Sequence, residues 1–292
     1  MAFSSDHPKL LEKCLKSQYG RAVTGKLPEG FEIGKVHRLH ICLPGAPVPG
    51  DVPEDAREMK IGDGKDRASL YFNESAGEAE AVFEGTDFQE DARLFFSAIV
   101  TFVQLVLRRR RLYVFHASAV SLKGAGVLIG GDNGSGKSTL MRRLLETGAD
   151  YLADDAAVVD MDGKPCVIRR SPEILNVLDL SPSMREMLLE KGFRKTDGGV
   201  FMAPPAKPLA APVRTVLFPS IVKGKLSVVS LTNREVFLKL LELRRTPLTQ
   251  KVLGEFFGLC AEMAEGVKAA CVKIPRGRIP APGELAEICE NL

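Results

Sequence analysis

The sequence has no tryptophan and only four tyrosines among 292 residues. A surface that stacks nucleic-acid bases has little aromatic material to work with. A formal net charge of +3 is also too small to mark a phosphate-backbone-binding face, so no nucleic-acid partner is expected. Cysteine is sparse and scattered: the six residues stand at 14, 42, 166, 260, 271 and 289. None form a Cys-x-x-Cys pair, and no Cys/His group has zinc-ligand spacing. Met1 to Lys16 holds no apolar core of signal-peptide length, which leads to the expectation of a cytoplasmic chain with reduced thiols. Long hydrophobic runs are missing too. Leu94 to Leu107 is mostly apolar but falls short of the roughly 20 residues that a membrane span needs. Ser97, Thr101 and Gln104 recur there at helical spacing as a polar stripe, and Asp87 with Glu90 resembles a capping box at its start. A soluble helix is expected, ending in a solvated run of basic residues, Arg108 to Arg111, that suits the helix dipole. Repeats and low-complexity tracts are absent.

What is present is an ordinary globular composition, 45% hydrophobic and 26% charged, long enough for one large domain or two modest ones. Phe31 to Leu43 alternates in part (Phe31, Ile33, Leu39, Ile41) and reads as a strand. Pro44 to Asp66 reads as a loop, Ser69 to Phe83 as a hairpin, and about 88 to 110 as the helix above. Leu112 to Leu122 and Ala125 to Gly130 read as strands joined by a turn at Lys123-Gly124. The second is short and apolar, suited to burial on both faces. A helix follows from Lys137 to Thr147 with Gly148 as its cap, then a strand at Tyr151 to Ala153. Ala156 to Met161 and Cys166 to Arg169 form a hairpin turned at Asp162-Gly163. Pro172 to Leu189 reads as helix broken at Pro182, and Phe193 to Pro212, with four prolines, as a long loop. Strands at Val213 to Val222 and Leu226 to Leu231 follow. A helix opens at Thr232-Asn233-Arg234-Glu235, another covers Thr249 to Gly266, and a last strand covers Ala270 to Ile274.

Between the apolar strand and the helix stands Gly131-Asp132-Asn133-Gly134-Ser135-Gly136-Lys137-Ser138, followed by Thr139. The pattern Gly-x-x-x-x-Gly-Lys-Ser suits a nucleoside triphosphate for physical reasons. Glycines let successive N–H groups turn inward around phosphates, and the helix start adds its positive end. Lys137 can reach the β- and γ-phosphates and Ser138 can ligate magnesium. Asp154 and Asp155 end a strand one helix later, which in a sheet with right-handed crossovers places them at the loop's edge. One can hold the metal and the other can accept a proton from an attacking hydroxyl. Adjacent strand residues point to opposite faces, so both roles require a bend there. His116, inside an apolar strand, can reach the aspartates and tune them, although a lone histidine in such a strand is more often core. Arg169, Arg170 and Arg214 stand at ends of expected strands, where an arginine can clamp phosphate.

From about 112 to 161 the chain resembles the HPr kinase/phosphorylase family, and more closely the HPr-kinase-related proteins of natural-product gene clusters. The resemblance is carried by His116-Ala117-Ser118-Ala119-Val120, by Gly126 to Thr139, by Gly148 and by Leu152-Ala153-Asp154-Asp155. Pro212 to Pro219 is looser. It implies a P-loop serine kinase fold shared with phosphoenolpyruvate carboxykinase. It also implies that Asp154 is the base, assisted by His116, and that Asp155 with Ser138 holds magnesium. The family's acidic residue after Lys-Ser is Thr139 here, and its Glu-Val-Arg-Gly-Leu-Gly signature is replaced after Arg170 by Ser171-Pro172-Glu173. The resemblance therefore does not extend to the phosphorylase reaction or to HPr as substrate.

The sequence thus leads to an α/β fold: a P-loop kinase core of the HPr kinase/phosphoenolpyruvate carboxykinase type with a mixed sheet over 87–292, and an N-terminal α+β portion over 1–86. The expected function is transfer of phosphate from ATP, with Mg2+, to a hydroxyl, serine foremost, of a small protein or peptide. Asp154, His116 and Lys137 are the expected catalytic residues. A non-catalytic ATP-binding accessory protein is the alternative, and small-molecule chemistry ranks below both. No membrane span is expected, and homo-oligomerisation is compatible with this reading.

Overall fold

The computed structural model describes residues 2–5, 38–42, 56–63, 66–73, 78–84, 92–169, 174–175, 182–195, 201–202, 210–245, 250–277 and 280–292. The chain divides into two compact units, Met1–Arg109 and Arg110–Leu292.

In the first unit, β1 (Ala2–Ser5), β2 (Arg38–Cys42), β3 (Ala56–Asp63), β4 (Asp66–Asn73) and β5 (Glu78–Glu84) form a sheet in the order β1-β2-β5-β4-β3. The hairpin of β4 and β5 is as expected. β3 lies inside the stretch read as loop, because Arg57, Glu58 and Lys60 dilute its apolar pattern. The helix α1 (Ala92–Arg108) buries Ala98, Ile99, Phe102 and Leu105, and Phe102 meets Phe72 of β4 edge-on at 6.3 Å between ring centroids. Gln104 of the polar stripe is buried, and one expectation for α1 is corrected: Arg108 is buried, while Arg109 is exposed. Residues 31–37 and the Asp87–Glu90 box lie outside the described residues. Among the described residues no helix is long and apolar enough to cross a membrane.

The second unit is mixed α/β. Its strands are β6 (Leu112–Phe115), β7 (Ala117–Leu122), β8 (Ala125–Gly130), β9 (Asp150–Ala153), β10 (Ala157–Asp160), β11 (Val167–Arg169), β15 (Ala210–Val222), β16 (Ser227–Ser230) and β17 (Lys268–Pro275). They make one sheet in the order β6-β10-β11-β15-β8-β7-β9, with β17 on β15 and β16 on β17. β15 pairs parallel with β8 and β17 and antiparallel with β11. Successive strand residues face opposite sides, and each side has its own core. Ala117, Ala119 and Leu128 face the layer of α4 (Asn233–Glu242) and α5 (Gln250–Gly266). Val120, Val127 and Ile129 face the layer of α2 (Lys137–Glu146) and α6 (Pro282–Asn291).

Four features of this unit differ from the sequence reading. The strand expected over Leu112 to Leu122 is two strands, broken at His116. Of the helix expected over Pro172 to Leu189 with a break at Pro182, the part after the break is α3 (Pro182–Glu190), while the part before it holds the strand β12 (Ile174–Leu175). The loop expected over Phe193 to Pro212 contributes β13 (Arg194–Lys195) and β14 (Phe201–Met202) to a small sheet, β12-β14-β13, before β15 begins. The helix α6 was not anticipated. Its start carries Pro282 at a favoured position, and Glu284 accepts the Ala281 N–H at 2.8 Å.

The arrangement that matters most is β9-β7-β8. β7 and β8 form a hairpin whose turn residues Lys123 and Gly124 have φ of 51° and 82°, the left-handed pair that matches strand twist. β7 is antiparallel to both neighbours, with Ala117 opposite Gly130 and Ala119 opposite Ala153. β8 and β9 are therefore parallel across β7, and both end where β7 begins.

Candidate functional site

That shared edge collects the residues singled out by the sequence. The glycine-rich loop leaves β8 at Gly130 and enters α2 at Lys137. Gly131, Gly134 and Gly136 take φ of 146°, 76° and 106°, in a region that L side chains rarely adopt. A Cβ on Gly131 would stand 2.8 Å from Ser135 Oγ. Gly136 is the N-cap of α2 and no side chain caps the helix, so its first N–H groups are open to an anion. Ser135 Oγ is buried and has no hydrogen-bond partner, although buried hydroxyls are nearly always paired. An orphaned hydroxyl inside a loop of left-handed glycines fits a phosphate group. Lys137 is buried, and its ammonium donates to the carbonyls of Gly131 at 2.7 Å and Asp132 at 2.9 Å. Burial holds its pKa below the ordinary lysine value, the nearby Arg245 adds to this, and Asp155 opposes it.

The two aspartates occupy different environments. Asp154 is buried, and its Oδ1 accepts Ser118 Oγ at 2.7 Å and Ser138 Oγ at 3.0 Å. Burial pushes this carboxyl above the usual carboxylate range, and the two hydroxyl donors resist that shift. Asp155 is 58% exposed in its side chain and has φ of 65°. The Ala156 N–H donates to the Asp154 carbonyl at 2.8 Å, closing a three-residue γ-turn with Asp155 at its strained centre. This is the bend that two working carboxylates at one strand end require.

His116 stands at the break between β6, which pairs with β10, and β7, which pairs with β8 and β9. Its Nδ1 lies 3.1 Å from Asp155 Oδ1. Its Nε2 lies 3.0 Å from Asn133 Oδ1 and 3.1 Å from Lys137 Nζ. The loop, the histidine and both aspartates are thus one contiguous cluster. Its pairings are the reverse of those expected: Ser138 meets Asp154, and His116 meets Asp155.

Two residues of the cluster were not singled out. Ser118, fully buried, fixes Asp154. Arg245 contacts Asp155 Oδ2 at 3.1 Å and also His116 Nδ1. The main chain brings it there: the His116 N–H donates to the Leu243 carbonyl at 2.6 Å and the Arg245 N–H to the Val114 carbonyl at 3.0 Å. No local signal separates Arg245 from Arg244. Arg169 instead pairs with Asp160, and Arg214 stands near the start of β8, away from the loop. Arg170 is outside the described residues. Arg214 also lines a cavity of about 320 Å³ with Cys166, Glu262 and Met263, and none of the cluster residues line it. Among the described residues no group of three or more His, Cys, Asp or Glu side chains is placed to hold a metal. The Ser138–Asp154 oxygen pair still fits magnesium, which takes one or two protein ligands and fills its shell with water and phosphate.

No family model matches the chain. A 62-residue stretch is 39% identical to the HPr kinase/phosphorylase of Prosthecochloris aestuarii, covering 21% of this chain and 18% of that protein. The chain thus aligns with less than a fifth of that relative's length, and the similarity is local. The structure of the Hpr(Ser) kinase/phosphatase from Coxiella burnetii matches at a TM-score of 0.33 with 16% identity, over 61% of this chain and 94% of that one.

Proposed function

We propose that the chain is an ATP-dependent phosphotransferase acting on a hydroxyl, with serine of a small protein or peptide as the leading acceptor. The observation that carries this is the convergence, at the shared edge of β7, β8 and β9, of a glycine loop with an orphaned Ser135 hydroxyl, Lys137, the Ser138–Asp154 pair and the His116–Asp155 pair. The local identity to an HPr kinase/phosphorylase supports the same class.

The geometry supports exchanging the two aspartate roles. Asp154, buried against Ser138, suits the metal position of a P-loop NTPase. Magnesium held by Ser138 and Asp154 would supply neutralisation of charge on the phosphate oxygens. Asp155, exposed and oriented by His116, suits the base. In the step, the acceptor oxygen forms a bond to the terminal phosphorus and its proton passes to Asp155. The bond from that phosphorus to the bridging oxygen breaks and ADP leaves. Lys137 and the loop N–H groups hold the charge that develops on the phosphoryl oxygens.

Incubation with γ-labelled ATP, magnesium and serine-containing acceptor peptides tests the reading. Asp155→Asn should lower transfer by about 10²–10⁴-fold, the usual worth of a general base, with nucleotide affinity kept. Asp154→Asn should instead raise the magnesium concentration needed for half-maximal rate. Wild-type protein that binds ATP but labels neither a peptide nor itself would overturn protein or peptide phosphorylation and leave the accessory-protein reading ahead of small-molecule chemistry. An Asp155→Asn variant with wild-type transfer would remove Asp155 as the base.

A further inference from the structure

Resting on the phosphotransfer reading, we propose that Arg245 is a second cation for the transferring phosphoryl group. It is paired with Asp155 while the loop is empty and moves to the terminal phosphate when nucleotide binds, which frees the Asp155 carboxylate for the acceptor hydroxyl.

The root of the side chain is fixed by main-chain pairing, and its head is held by side-chain contacts to Asp155 and His116. Leu243 to Arg245 is stitched antiparallel along β6 by the two main-chain hydrogen bonds above and by the bridge between Phe115 and Arg244. Leu243 is seated against the strand that feeds the loop: a Cβ on Gly130 would stand 2.2 Å from Leu243 Cδ1. The segment that carries Arg245 is therefore packed against the strand that feeds the loop. The Arg245 side chain is 38% exposed, so it can swing without unpacking the core.

Charge explains why it should swing. Lys137 Nζ meets one nitrogen of the His116 ring and Arg245 meets the other, so two cations flank a single imidazole beside the loop. Like charges at that range repel, and an anion between them relieves the repulsion. In the empty site that anion is Asp155, with Oδ1 toward His116 and Oδ2 toward Arg245. Both Asp155 oxygens are thus occupied by neighbouring side chains. A terminal phosphate carries more charge than a carboxylate and also matches the planar donor fork of arginine. The exchange of one ion pair for another breaks no covalent bond. It couples exposure of the base to arrival of the nucleotide.

The test compares affinity for ADP with that for the β,γ-imido analogue of ATP, by titration calorimetry on the full chain with magnesium. Wild type should prefer the analogue. Arg245→Ala should lose at least about fivefold of that preference, within the usual range of coupling between sites, while ADP affinity changes less than twofold. Arg245→Lys should keep part of it, and it stands in as the probe if thermal melts show that the alanine variant fails to fold. In the labelled-ATP assay the alanine variant should transfer about 10³-fold more slowly, as when a phosphate-contacting arginine is removed, with partial rescue by free guanidinium. An unchanged analogue-to-ADP ratio in both variants overturns the proposal even where wild type transfers phosphate. A collapsed ratio in a protein that transfers none upholds Arg245 as a phosphate contact and overturns the phosphotransfer reading instead.

Discussion

At the scale of single residues, Asp154 concentrates the cost of the site. Its carboxyl is buried, its pKa is raised by that burial, and the Ser118 and Ser138 hydroxyls, with the charge of Arg142, offset part of the loss of water. A folded-state carboxyl pKa above the unfolded value means that the native chain holds the proton more tightly. Stability is then greatest below the ordinary carboxylate range and is lost as pH rises through the raised value. Asp154→Asn keeps the shape and an oxygen for the two hydroxyls but removes the charge. In EDTA at pH 7 the variant should melt higher by about 2–4 °C, the shift that about 1 kcal/mol gives in a unit of this size, and the difference should shrink on acidification. Thermal scans at several pH values check this, and a variant that melts lower than wild type at neutral pH would remove Asp154 as a destabilising buried charge. Magnesium with nucleotide should stabilise wild type more than the variant, because only wild type has a full charge for the metal.

At the scale of elements, the site depends on contacts between segments far apart in sequence. Gly130 ends β8 where Leu243 presses against it, so Gly130→Ala should displace Leu243 and with it the Arg245 backbone. The expected cost is about 1–3 kcal/mol, typical of overpacking, read as a lower unfolding midpoint. Leu243→Ala costs stability alone but should recover part of the loss when combined with Gly130→Ala, and a double-mutant cycle measures that coupling. Purely additive effects would mean that the two do not share the space. The same contact shows where the sequence was legible. The hairpin at Lys123-Gly124, the loop between β8 and α2, and the helix start at Thr232-Glu235 each rest on residues within a few positions of one another, and each was readable. The break at His116 was not, because it arises where one strand changes partners from β10 to β8 and β9. The small strands β12 to β14 have two residues each, too few for a periodic signal. The cluster was readable as a set from motif spacing. Its internal pairings were not, since they turn on a γ-turn at Asp155, and Arg245 arrives through pairing with β6.

At the scale of the whole molecule, every residue assigned to the site lies in the unit Arg110–Leu292. That unit carries a core on each face of its sheet, one holding Phe115, Leu128 and Phe256 and the other holding Ile129, Leu144 and Leu285. A sheet covered by helices on both faces is a complete three-layer structure, and its length falls within the ordinary range of domains. Residues 110–292 expressed alone should therefore unfold in one cooperative transition and bind the imido analogue of ATP within about threefold of the full chain, a difference of well under the 1.4 kcal/mol that separates tenfold affinities. Differential scanning calorimetry and titration of the fragment beside the full chain decide the point. A fragment without a cooperative transition would show that 110–292 needs the first unit to fold. A fragment that folds but has lost the analogue would show that the nucleotide site takes a contribution from Met1–Arg109. Retained binding with lost peptide labelling would instead assign acceptor recognition to the first unit, since loop, metal pair, base and Arg245 all lie in 110–292.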